Sequence, residues 1–112
     1  MARKRPKAPT SEYRSPEGDV LVLRGSMTPG TRREYADTLA GSPLSREDAW
    51  HRGVEFLFER LAVSWAIAGT DPLTKQNELL ARFRMASQDE RRWIRDVLRE
   101  HLAEHFPELA AP

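Results

Sequence analysis

The 112-residue chain contains no cysteine, and that absence removes disulfide staples, thiolate metal sites and cysteine nucleophiles together. It also lacks a long apolar run. The best stretch, Val54 to Ala68, is interrupted by Glu55, Glu59 and Arg60 and falls short of the roughly 20 apolar residues that a membrane-crossing helix needs. The opening residues Arg3, Lys4, Arg5 and Lys7 carry the charge of a signal peptide's first part with no apolar segment behind it, so the chain is expected to stay in the cytoplasm where it is made. No internal repeat, phosphate-cradling glycine loop, nucleophile triad or supported carboxylate pair is visible. The sequence therefore proposes no reaction class and implies no cofactor.

What is present suits one small domain that binds other proteins. Hydrophobic residues make up 39% and charged residues 31%, enough to build one core and cover it. The net charge of +1 hides an asymmetry: residues 1–14 hold five cations against Glu12, a net of +4, which leaves −3 for the rest. With Pro6, Pro9 and Pro16 and little apolar material, residues 1–17 read as a disordered basic arm that cannot offset its own ordering entropy. Residues 18–107 are the expected domain and 108–112 a short tail.

Within that domain, Val20, Leu21, Val22 and Leu23 lie between Gly18 and Gly25 and read as one short strand. Four apolar residues in a row do not alternate. They call for burial on both faces or for a partner strand, including one from another copy, which makes these four residues candidates for self-association. Thr28-Pro29 starts a helix with Tyr35, Ala36 and Leu39 on one side, ending near Gly41. Ser45 caps a second, whose stripe is Trp50, Val54, Leu57, Phe58 and Leu61; Gly53 inside it costs about 1 kcal/mol relative to alanine and so implies close packing there. Ala62 to Ala68 continues that helix or turns into a second strand near Val63–Ile67, in which Val63, Trp65 and Ile67 share a face. After the break at Gly69 to Pro72, Thr74 caps a helix carrying Leu79, Leu80 and Phe83. Ser87 and Glu90 form a capping box that opens a fourth helix to about Phe106. Its apolar stripe is Trp93, Ile94, Val97, Leu98, Leu102 and Phe106, with Arg91, Arg95 and Arg99 in a column on another side and Arg92 spaced to pair with Asp96. The expected fold class is mainly α: four helices, one short strand and a disordered arm.

Three features could carry chemistry. His101-Leu102-Ala103-Glu104-His105 matches the H-x-x-E-H string of inverted zinc proteases, but only seven residues follow His105 to supply a third ligand, and a solvated helix end is the plainer reading. The arginine column and basic arm suit phosphate contacts, although no aromatic residues interleave with them and no reading helix follows a tight turn. Trp50, Trp65 and Trp93 read first as core anchors, with Trp65, beside the chain's change of direction, also a candidate recognition residue.

The stretch Phe56 to Thr74 resembles the tail assembly chaperones of siphophages that infect actinobacteria. In that family a helix leads into a valine and a tryptophan, then a glycine, then Pro-Leu-Thr and two short helices; Val63, Trp65, Gly69, Pro72, Leu73 and Thr74 stand at those places here. Val20 to Arg24, Met27-Thr28-Pro29 and Tyr35 are similar to the family's opening portion, so the likeness spans roughly residues 18–106. The linker from Ala68 to Pro72 is shorter than in many members. The resemblance implies a non-catalytic protein of the infected cell's cytoplasm that coats the helical tape measure protein and keeps it soluble for tail assembly. Members are often also made as a longer frameshifted product, which a protein sequence does not reveal. The candidate client contacts are Trp65, Ile67, Leu73 and Phe56, the alternative for all four being the core. A head-tail connector component and a small nucleic-acid-binding regulator using the arm are the other readings.

Overall fold

The computed structural model describes residues 9–40 and 46–112. Among them the chain forms a three-stranded antiparallel sheet, in the order β1-β2-β3, and four helices. The expectation of a mainly helical domain with a single strand is overturned: this is a small α+β domain. The reason lies in β2 (Val20–Arg24). Leu21 and Leu23 point one way and are fully buried, while Val20 and Val22 are half-buried on the opposite face. A strand buried this way needs hydrogen-bond partners on both sides, and the chain supplies both itself.

One partner is β1 (Thr10–Arg14), within the stretch read as a disordered arm. Its register pairs Ser11 with Leu23 and Tyr13 with Leu21. The turn between them is built by Ser15, whose Oγ accepts from the amide of Asp19 at 3.0 Å, and by Gly18, at a φ of +92° that favours glycine. The other partner is β3 (Ala62–Ala66), which places Trp65 opposite Leu21. The stretch after Leu61 is thus a strand, not a continuing helix. Asp19 ties the far end of this pair, its Oδ1 accepting from the amide of Ala68 at 2.9 Å.

The helices largely follow their local signals. In α1 (Pro29–Ala40) the Thr28 hydroxyl accepts from the amide of Thr31 at 3.1 Å. In α2 (Arg46–Leu61) a Cβ added at Gly53 would stand 2.8 Å from Cδ2 of Leu39, the close approach of α1 that the mid-helix glycine implied. The Ser45 cap, the Gly41 stop and the arm residues Arg3, Lys4, Arg5 and Lys7 lie outside the described residues. The third helix, α3 (Gln76–Arg84), starts later than expected: Lys75 is its N-cap and makes no side-chain capping bond. Thr74 is displaced from that role because Leu73 exchanges two backbone hydrogen bonds with Trp65, at 3.0 and 2.9 Å, holding the chain extended up to Lys75. The last helix, α4 (Gln88–His105), opens on the complete capping box of Ser87 and Glu90.

One buried cluster joins Leu21, Leu23 and Trp65 of the sheet to Leu57, Phe58 and Leu61 of α2, Phe83 of α3, and Ile94, Leu98 and Leu102 of α4. Phe58 is its hinge, stacked on Phe83 at 4.7 Å and edge-on to Trp65 at 5.6 Å. The C-terminal residues are strapped to the body. Tyr35 donates to the carbonyl of Ala110, Arg99 to that of Pro112 at 3.0 Å, and Arg32 pairs with Glu108 at 2.7 Å.

Candidate functional site

The four proposed client contacts do not form one surface. Trp65 is fully buried between Phe58 and the guanidinium of Arg82, which sits 5.1 Å from its ring centre. It is a core residue and offers nothing to a client. Leu73 is half-buried beside it through the backbone bridge. The Ile67 carbonyl closes the turn at Gly69 by accepting from both the amide and hydroxyl of Thr70. Phe56 turns toward α1 instead, 6.1 Å from Tyr35 and capped by Arg60. The self-association argument also changes. The backbone of Val20 to Leu23 is occupied on both sides by β1 and β3, so the outer edges of the sheet fall to β1 and to β3, whose outer side carries the Trp65–Leu73 bridge.

The H-x-x-E-H string faces the sheet. His101 is fully buried, and its Nε2 lies 2.6 Å from the carbonyl oxygen of Arg24. A carbonyl only accepts, so Nε2 carries the proton and Nδ1 accepts from the Tyr13 hydroxyl at 2.8 Å. Burial pulls its pKa below the ordinary 6.5, helped by the neighbouring His105 and opposed by the Arg24 carbonyl and Glu104. His105 Nε2 meets the Ser11 hydroxyl at 2.9 Å. The two histidines therefore fasten α4 to β1 and β2, and a metal would have to displace the Tyr13 or Arg24 bond to reach His101. Among the described residues no group of three metal-ligating side chains comes together. None of the described helices is long and apolar enough to cross a membrane.

The arginine column is mostly committed within the fold. Arg91 donates to the carbonyls of Arg84 and Ala86, satisfying the end of α3, and lies over the ring of Phe83. Arg99 pairs with Asp96 at 3.6 Å as well as holding Pro112. The expected Arg92–Asp96 pair gives way to a long Arg92–Asp89 approach of 3.9 Å.

Among the described residues, apolar surface is left uncovered elsewhere. A groove of about 410 Å³ runs between α1, the start of α2 and the C-terminal residues, lined by Tyr35, Ala36, Leu39, Ala40, Trp50 and Leu109. Ala36 and Ala40, one turn apart, keep its wall low. Trp50 belongs to the helical stripe that forms the core but is only half-buried, because its place near the start of α2 carries it past the core's edge. Sequence reading missed it by treating the stripe as uniformly buried. Its spacing of four from Val54 is that of any residue on the same face, so the stripe itself carried no signal of the exposure. Comparison with protein-family models, with curated proteins and with solved structures finds no match.

Proposed function

We propose that the protein is a non-catalytic tail assembly chaperone of the siphophage type, acting in the cytoplasm of the infected cell by covering the apolar stripe of a helical tape measure protein. The observation that carries this reading is the resemblance over Phe56 to Thr74. Its residues belong to one continuous unit: α2 ends at Leu61, Val63 and Trp65 lie in β3, Gly69 turns the chain at a φ of +76°, and Leu73 pairs back onto Trp65. A pattern that builds a folding unit explains why common residues recur at those places without carrying chemistry.

The client contact is assigned to the groove around Trp50 in place of Trp65. A half-buried tryptophan flanked by Leu39, Leu109 and two alanines suits the ridge of an amphipathic helix, which docks through side chains at i, i+3 and i+4. Each contact is weak, and many copies along one long client add through avidity. The test is co-expression with the tape measure protein encoded in the same genome. The expected result is that the client moves from the pellet into the soluble fraction in complex with this chain. A client equally insoluble with and without it removes the chaperone reading.

A further inference from the structure

A second hollow, between α2, α3 and α4, differs from the groove in charge. It has a volume of about 260 Å³ and is lined by His51 and Val54 of α2, Phe83 of α3, and Gln88, Arg91, Arg92 and Arg95 of α4. Val54 and Phe83 make an apolar floor and three guanidiniums make the rim, with no carboxylate in the described lining. The rim is prepared in advance: the two backbone bonds of Arg91 and its seat on Phe83 fix that guanidinium without neutralising it. The acids beside the rim are solvent-exposed: Glu47 stands 3.2 Å from His51 and 3.8 Å from Arg95, and Asp89 3.9 Å from Arg92. Arg95 is also left short of partners, its Nε being buried without a hydrogen bond. Two residues beyond Phe83, Met85 is 82% exposed, the large hydrophobic most open to solvent among the described residues.

We infer that this pocket receives an acidic, leucine-like segment of a partner protein, an aliphatic side chain on Val54 and Phe83 with flanking carboxylates on Arg91, Arg92 and Arg95. A hollow this size holds one or two side chains. Charge complementarity argues for carboxylates because three guanidiniums rim the hollow and no acid lines it among the described residues. A phosphate backbone would meet the rim but has no use for the apolar floor of Val54 and Phe83. Guanidinium forks take carboxylates in paired hydrogen bonds. The inference does not depend on the chaperone reading, since the groove and this pocket share no lining residue.

The test is a nuclear magnetic resonance titration of the isotope-labelled full chain with a capped hexapeptide of two leucines flanked by glutamates. Parallel titrations use the same peptide with lysines for glutamates, inorganic phosphate, and a ten-nucleotide oligothymidylate. The expected result is saturable shifts confined to the amides of Val54, Phe83, Gln88, Arg91, Arg92 and Arg95 with the glutamate peptide alone. Arg92→Glu, at an exposed side chain whose loss spares the fold, should weaken it about tenfold by turning an attraction into a repulsion, and Arg33→Glu on α1 should leave it unchanged. Four results overturn the proposal: no shift at these residues, equal response to the lysine peptide, tighter saturation by phosphate or oligothymidylate, or shifts at the pocket that follow protein concentration without peptide, which would make a second copy the occupant.

Discussion

The seam between α4 and the sheet and the surface between α1 and α2 reverse what their residues suggest. The seam contains the one string with a catalytic look, two histidines and a glutamate on a helix, yet each histidine is engaged by β1 or β2. The α1–α2 surface contains a tryptophan from an ordinary core stripe, and among the described residues the apolar lining there is open. The lesson concerns satisfaction. A buried polar group that meets its partners inside the fold is spent on stability, whereas apolar area left half-covered is what remains for binding.

The largest expected effect lies at the centre of the core. Trp65→Ala should cost about 3–5 kcal/mol, the range for deleting a large buried aromatic, and in so small a domain that amounts to unfolding. Urea titration measures it. A loss under about 1 kcal/mol would return Trp65 to the list of surface contacts.

Next comes the seam. His101→Leu should cost about 2 kcal/mol because the Arg24 carbonyl loses its imidazole donor and the Tyr13 hydroxyl loses its imidazole acceptor. The same residue sets a pH dependence. Burial holds its folded pKa below the unfolded value of 6.5, so its contribution is fully present above pH 6.5 and declines as pH falls below that value toward the folded pKa. Urea midpoints measured at pH 7.5 and 5.5 should differ in the wild type and differ less in His101→Gln, which cannot titrate. An unchanged pH dependence would show that the seam histidine is not the group responsible.

A smaller effect is expected on the groove side. Tyr35→Phe removes the hydroxyl that holds the carbonyl of Ala110, at a cost of about 1 kcal/mol. It should also raise hydrogen exchange at Leu109 and Ala111, because the strap loosens before the body does. Unchanged exchange there would mean that the C-terminal wall of the groove stands without Tyr35.

How much of this was legible depended on whether the cause was local. The Thr28-Pro29 start, the capping box of Ser87 and Glu90 and the close packing at Gly53 were readable because each signal and its effect lie within a few residues or one helix face. The strand at Thr10 to Arg14 was not. Its residues carry one apolar side chain, Tyr13, and what orders them comes from β2 and from His101 and His105, 88 and 94 residues away along the chain. Thr74 failed as a cap for a similar reason, since the pairing of Leu73 with Trp65 overrode the local preference. Trp50 was found as a stripe member but misjudged in burial, because the length of the stripe does not reveal where the core beneath it ends.

The central claim is that the open groove, not the buried motif, contacts the client, and Trp50→Ser tests it most directly when co-expressed with the tape measure protein of the same genome. The account predicts a variant whose far-ultraviolet dichroism matches wild type and whose stability falls by no more than about 1 kcal/mol, while the client stays in the pellet. A folded Trp50→Ser that solubilises the client as well as wild type would contradict it.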